Sequence, residues 1–194
     1  GTVLVLLLSM ADEIIDVLDE RGRCTGEVVA KKVAHQKGIW HTAAFVWVYN
    51  SKGELLFQKR SLQKTSFPGF WDVSVSGHVS AGEKPIVAAC REAFEELGVT
   101  IPEGQLEFVE IRKEIHDLPE KNWHNYEFNY IYLWKYDGAL DDLTLDSREV
   151  ECVQFFSLDE LEKHLRNPNL KKKFVPHLGN HYFDMIELVR RRTG

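Results

Sequence analysis

The 194-residue chain has little cysteine: Cys24, Cys90 and Cys152 are odd in number, far apart and form no CxxC. A disulfide framework and a cysteine-held zinc are therefore excluded, and a reducing, cytoplasmic setting fits. Cys90 lies among apolar positions and reads as core. There is no excess of positive charge: 24 Lys and Arg against 30 Asp and Glu leave −6, which argues against non-specific nucleic-acid binding. A phosphate would also be repelled unless metal ions and local Lys or Arg reverse the field. The apolar start, residues 1–9, is too short to span a bilayer. It lacks the positive flank and small-residue cleavage site of a signal peptide, so no membrane partner is expected. It reads as a non-native leader before a start at Met10, with a small edge strand as the alternative. Repeats and low-complexity segments are absent too. What remains, 44% hydrophobic and 28% charged, is the composition of a globular domain with a real core.

The most informative feature is a crowd of carboxylates. Gly77-His-Val-Ser-Ala-Gly-Glu83 is followed, seven residues on, by Arg91-Glu92-Ala-Phe-Glu95-Glu96-Leu-Gly98-Val99. Helical spacing puts Glu92, Glu95 and Glu96 side by side. Like charges that close repel by roughly a few tenths of a kcal/mol per pair or more, and a cation relieves the repulsion. Oxygen-only ligands favour a hard ion, Mg²⁺ or Mn²⁺. The competing reading, a solvated acidic helix face, is weakened by the flanking glycines and arginine.

The stretch resembles the Nudix box, Gly-x5-Glu-x7-Arg-Glu-apolar-x-Glu-Glu-x-Gly-apolar, at every fixed position. The resemblance implies a metal-dependent hydrolase that cleaves a phosphoanhydride in a nucleoside diphosphate or a small molecule linked to one. It implies Glu95 and Glu96 as metal ligands, Glu92 as ligand or base, and Glu83 and Arg91 as a salt bridge holding loop and helix. Gly77 offers a carbonyl to a metal without steric conflict, and Gly98 caps the helix. Nudix hydrolases often add an acidic residue from beyond the box, and Glu127 is the candidate ligand or base here.

From about Ile14 to Phe156 the chain also resembles a subgroup related to isopentenyl-diphosphate isomerase. The resemblance rests on Ala34-His35, Trp40-His41-Thr-Ala, Asn50-Ser-Lys-Gly-Glu-Leu-Leu56, Lys64-Thr-Ser-Phe-Pro-Gly-Phe-Trp71 and Ser76-Gly-His78. It implies a metal site in which His35, His41, His78 and Glu127 match the isomerase ligands. Ser76 stands where the isomerase has its acid–base cysteine, and a hydroxyl is a far weaker acid than a thiol. Asn125 replaces a second glutamate. With the box intact, these departures favour hydrolase over isomerase. His41, on an apolar strand, also reads as a hydrogen-bonded core residue, while His78 has the best claim to touch substrate or metal. A non-catalytic nucleotide-binding domain is the third reading.

Lys59, Arg60 and Lys64 precede the box and could meet phosphates, with Trp71 as part of the substrate wall; solvated surface is the bland reading of each lysine or arginine. Periodicity predicts a hairpin over Glu13–Leu18 and Cys24–Val33, and strands over Ile39–Tyr49, Glu54–Arg60, Trp71–Ser76, Leu106–Ile115, Glu127–Lys135 and Val150–Phe156. Helices are predicted from Pro85 to Gly98, with Ile86, Cys90, Ala93 and Leu97 buried opposite the glutamates, and over Leu158–Leu165 and Tyr182–Arg191. Residues 168–176 read as a basic linker. The local order is α+β, and the family resemblance implies an α/β/α sandwich around a mixed β-sheet. A single domain spans 10–194, with its core at about 39–157 and a helical extension at about 158–194. A small-molecule diphosphate is the expected partner, and a homodimer is left open.

Overall fold

The computed structural model describes residues 13–194; the apolar start and Met10 lie outside the described residues. Strands β1 (Ile14–Leu18) and β2 (Cys24–Ala30) form an antiparallel hairpin. Its turn is held by the Asp19 carboxylate, which accepts from the amides of Arg21 and Arg23 at 2.9 and 3.0 Å. The second strand is shorter than predicted. Lys31–Lys37 is helix α1, closed by Gly38 at φ 68°. Only Ala34 of that helix is buried, so no apolar stripe announces it.

Strand β3 (His41–Tyr49) is the centre of a seven-stranded mixed sheet. It runs parallel to β8 (Trp123–Lys135), which pairs antiparallel with the edge strand β7 (Glu107–Leu118). On its other side β3 pairs with β6 (Val75–His78) over Ala43–Val46, and meets β4 (Glu54–Arg60) only at Tyr49. Strand β4 is flanked by β5 (Trp71–Val73) and β9 (Val150–Ser157). The sheet therefore splits between β3 and β4. Ser74 sits at the split, where the predicted Trp71–Ser76 strand breaks in two. Its buried hydroxyl accepts from the Val48 amide at 2.9 Å and donates to the Leu56 carbonyl at 2.5 Å, satisfying a group on each side.

Period-two alternation sorts β3 between two cores. Ala43, Phe45 and Trp47 face α3 (Leu158–Arg166) and α5 (His181–Thr193), whose Leu161, Ile186 and Val189 complete that layer. Ala44, Val46 and Val48 face α2 (Pro85–Leu97), which buries Ala88, Ala89, Ala93 and Leu97. Two helical layers on one sheet give the α/β/α sandwich. The basic linker carries a short helix α4 (Pro168–Lys171), and Phe174 then lies alongside Trp71 as an isolated parallel bridge.

Candidate active site

The box loop leaves β6 at His78 and enters α2 at Pro85, whose missing amide suits a first helical turn. Arg91 locks loop to helix. Its Nε and Nη2 donate to both Glu83 oxygens at 2.9 Å, and Nη2 also donates to the His78 carbonyl at 3.0 Å. The guanidinium does more than scaffold: Nη1 donates to Glu92 at 2.8 Å and reaches Glu95 at 3.3 Å. Gly98 ends the helix at φ 69°, where a Cβ would lie 2.8 Å from Thr144.

Glycine is required at Gly77 by contact, since a Cβ there would sit 2.1 Å from Cδ of Glu92. The Glu92 carboxylate thus lies directly over the strand. Burial pushes its pKa up to about 7, with Glu95 adding to the shift and Arg91 opposing it. Glu96 is not on a solvated face: it is 4% exposed. Burial, then the charge of Glu92, raises it well above the usual carboxylate range. Gln58 Nε2 donates to Glu96 Oε1 at 2.7 Å and to the Ser74 carbonyl at 3.1 Å. Glu96 Oε2 is buried and has no partner among the described residues. Glu95 is half exposed. Two neighbouring carboxylates, Glu96 buried with an orphaned oxygen and Glu92 partly buried, fit an oxygen-liganded divalent cation.

Lys64 pairs with Glu149 at the margin of this site, and both charges act on Glu96. Glu149 was not singled out from sequence. It sits on the loop before β9, which lies along the end of α2 through Thr144 amide to Leu97 carbonyl, 2.9 Å, and Asp146 amide to Glu96 carbonyl, 3.3 Å. Arg60 spends its donors on scaffold: Ser66 carbonyl and hydroxyl at 3.0 Å and Asp72 at 3.3 Å. Lys59 approaches Glu151 on the outer strand at 3.9 Å. Trp71 packs edge-on against Phe156.

The structure gathers the three histidines. His35 Nε2 lies 3.2 Å from His78 Nε2, and the rings of His41 and His78 stack at 5.1 Å. His41 Nδ1–H donates to the Ile39 carbonyl at 2.8 Å, and its buried Nε2 has no hydrogen-bond partner among the described residues. Glu127 stands here rather than beside the box glutamates, its Oε2 3.5 Å from His41 Nε2 and 3.7 Å from His78 Nε2. A carboxylate facing an imidazole nitrogen needs a proton or a cation between them. Burial lowers His35 to about 4 and His78 well below its usual value, so both stay neutral, the form that ligates metal.

The NUDIX domain family model matches residues 39–178. Nudix hydrolase 3 of Arabidopsis thaliana is 33% identical over 187 residues, covering 94% of this chain. The chain spans only 24% of that relative's length. An uncharacterized Nudix hydrolase of Clostridium acetobutylicum is 35% identical over 161 residues, 81% of this chain and 76% of its own. An isopentenyl-diphosphate Delta-isomerase of Streptomyces avermitilis is 33% identical over 157 residues, 80% and 77% of the two chains. Among solved structures, one from Deinococcus radiodurans superposes with TM-score 0.63 at 23% identity, over 92% of this chain and 98% of the other. The MutT protein of Methanosarcina mazei gives 0.53 at 23% identity, over 79% and 94%. Matched over this length, with every fixed position of the box in place, the chain belongs to the NUDIX domain family and is a Nudix hydrolase.

Proposed function

We propose that the chain hydrolyses a phosphoanhydride in a nucleoside diphosphate or a nucleoside-diphosphate-linked small molecule, with Mg²⁺ as the working ion and Mn²⁺ as a substitute. The observation that carries this is the neighbouring pair of Glu92, packed over Gly77, and buried Glu96, one of whose oxygens has no partner among the described residues. Glu95 and Glu96 would hold the ion, with the Gly77 carbonyl as a further oxygen. The bound ion would screen phosphate charge and lower the pKa of a water. Gln58 fixes the rotamer of Glu96, and the Arg91–Glu83 fork fixes loop against helix. Water attacks phosphorus, and Glu92, whose burial makes it a stronger base than an exposed carboxylate, receives the proton. Glu127, drawn toward the histidines, is the second candidate for that role. Lys64 meets the substrate phosphate by leaving Glu149. Hydrolysis in ¹⁸O-labelled water tests the chemistry. Label in the phosphate of the product is the expected result, and label on carbon would refute attack at phosphorus.

One observation favours a second reading: His35, His41, His78 and Glu127 converge as the isomerase resemblance implies. Ser76, on the His78 face of β6, lacks the acidity that protonating carbon requires. Deuterium uptake into isopentenyl diphosphate from heavy water would favour the isomerase, and none is expected.

A further inference from the structure

A second group of ionisable side chains lies outside both clusters. Glu114 and His116, two apart on β7, point to the same face of the sheet. His177 reaches them from the segment between the Trp71–Phe174 bridge and α5. Glu114 Oε1 lies 2.7 Å from His116 Nε2 and 2.5 Å from His177 Nδ1. The three side chains are 5, 10 and 6% exposed. We infer that Glu114, His116 and His177 form a site for a borderline divalent transition ion such as Zn²⁺, separate from the box and anchoring the C-terminal segment to the sheet.

Donor chemistry supports this ion class: two imidazoles and one carboxylate suit Zn²⁺ or a similar ion and leave a coordination position open. The supports around the three residues are those a ligand set requires. His177 Nε2–H donates to Asp72 at 2.7 Å, so a carboxylate orients the ring and leaves Nδ1 for the ion. Asp72 is in turn held by Arg60 at 3.3 Å and by the Val73 amide at 2.7 Å. The second oxygen of Glu114 accepts from Asn129 at 2.6 Å. Phe67, held at φ 47°, lays its ring edge-on against His116. A small cavity bordered by Glu114, His177, Asn129 and His181 has room for roughly one water, which is what an open position takes. Asn129 and His181 border that cavity, and Asn129 Oδ1 and His181 Nδ1 are buried with no partner among the described residues. They would be satisfied by a water held on the ion.

The rival is a metal-free clamp, with a doubly protonated His177 bridging Asp72 and Glu114. Equilibrium titration of the metal-stripped full chain with Co²⁺, in excess Mg²⁺ to fill the box, separates the two. The wild type should give a visible band for tightly held Co²⁺, competed by Zn²⁺. His116→Gln should lose one equivalent and its band, while His35→Gln, which alters the other histidine cluster, should keep them. Equal stoichiometry and spectra for wild type and folded His116→Gln would overturn the site. If His116→Gln does not fold, anomalous scattering at the zinc edge from wild-type crystals reads the same point. A peak among Glu114, His116 and His177 supports the inference, and no peak there at saturating Zn²⁺ refutes it.

Discussion

At the scale of single residues, Gly77 sets how near the box helix comes to the sheet. A methyl group at that point would occupy the place of the Glu92 carboxylate. Gly77→Ala should therefore lower kcat by roughly 10²-fold, since a displacement of about 1 Å in a catalytic group costs that much. The thermal unfolding midpoint should move little, because Glu92 can swing toward Arg91 and solvent. Unchanged kinetics in that variant would show that Glu92 need not lie over the strand. The motif made the three box glutamates legible, because their spacing is a property of the chain alone. Their environments were not legible. Glu96 was expected on the face opposite the buried stripe, yet the apolar stripe and the carboxylate face adjoin on α2, and β4 contributes Gln58 to cover it. The Lys64–Glu149 pair joins residues 85 positions apart, and local pattern holds no trace of such a pairing.

At the scale of elements, β3, β4, β9, α2, α3 and α5 follow from periodicity and caps. In α5, for example, Tyr182, Met185, Ile186 and Val189 repeat at helical spacing and are all buried. Helix α1 was missed because its surface is polar and its position depends on packing against β8; it is the element that delivers His35. The break at Ser74 was missed because a split sheet is a tertiary property. The seat of α5 also carries a pH signature. Trp47 Nε1 donates to His181 Nε2 at 3.0 Å, and burial lowers His181 to about 3. Unfolded, this imidazole takes a proton near the ordinary histidine pKa of about 6.5. The native state does not bind that proton, so its contribution to stability is full above about pH 6.5 and declines as pH falls toward 3. Unfolding midpoints measured across that window should fall with acid, and His181→Gln should flatten the slope. An identical slope in the variant would assign the acid sensitivity elsewhere.

At the scale of the whole molecule, a net charge of −6 must still admit a polyanionic substrate. On the proposed reading, bound metal and Lys64 would supply the local reversal of field, the Lys64 ammonium acting on both Glu96 and His78. A charged hydrogen bond contributes about 1.5–3 kcal/mol, so Lys64→Ala should raise KM by roughly tenfold or more while kcat changes little. A kcat loss with KM unchanged would instead place Lys64 in the chemical step. The C-terminal segment is tied to the sheet through Phe174 alongside Trp71 and His177 against Asp72, joining the helical extension to the strands.

The most direct measurement is phosphorus NMR of the purified chain with Mg²⁺ and a panel of nucleoside diphosphates, ADP-ribose and isopentenyl diphosphate, repeated with Glu96→Gln. The account predicts metal-dependent loss of an anhydride signal for a nucleotide substrate, and a rate lower by orders of magnitude in a variant that unfolds at nearly the same temperature. Undiminished turnover by Glu96→Gln would contradict the role given to the buried carboxylates.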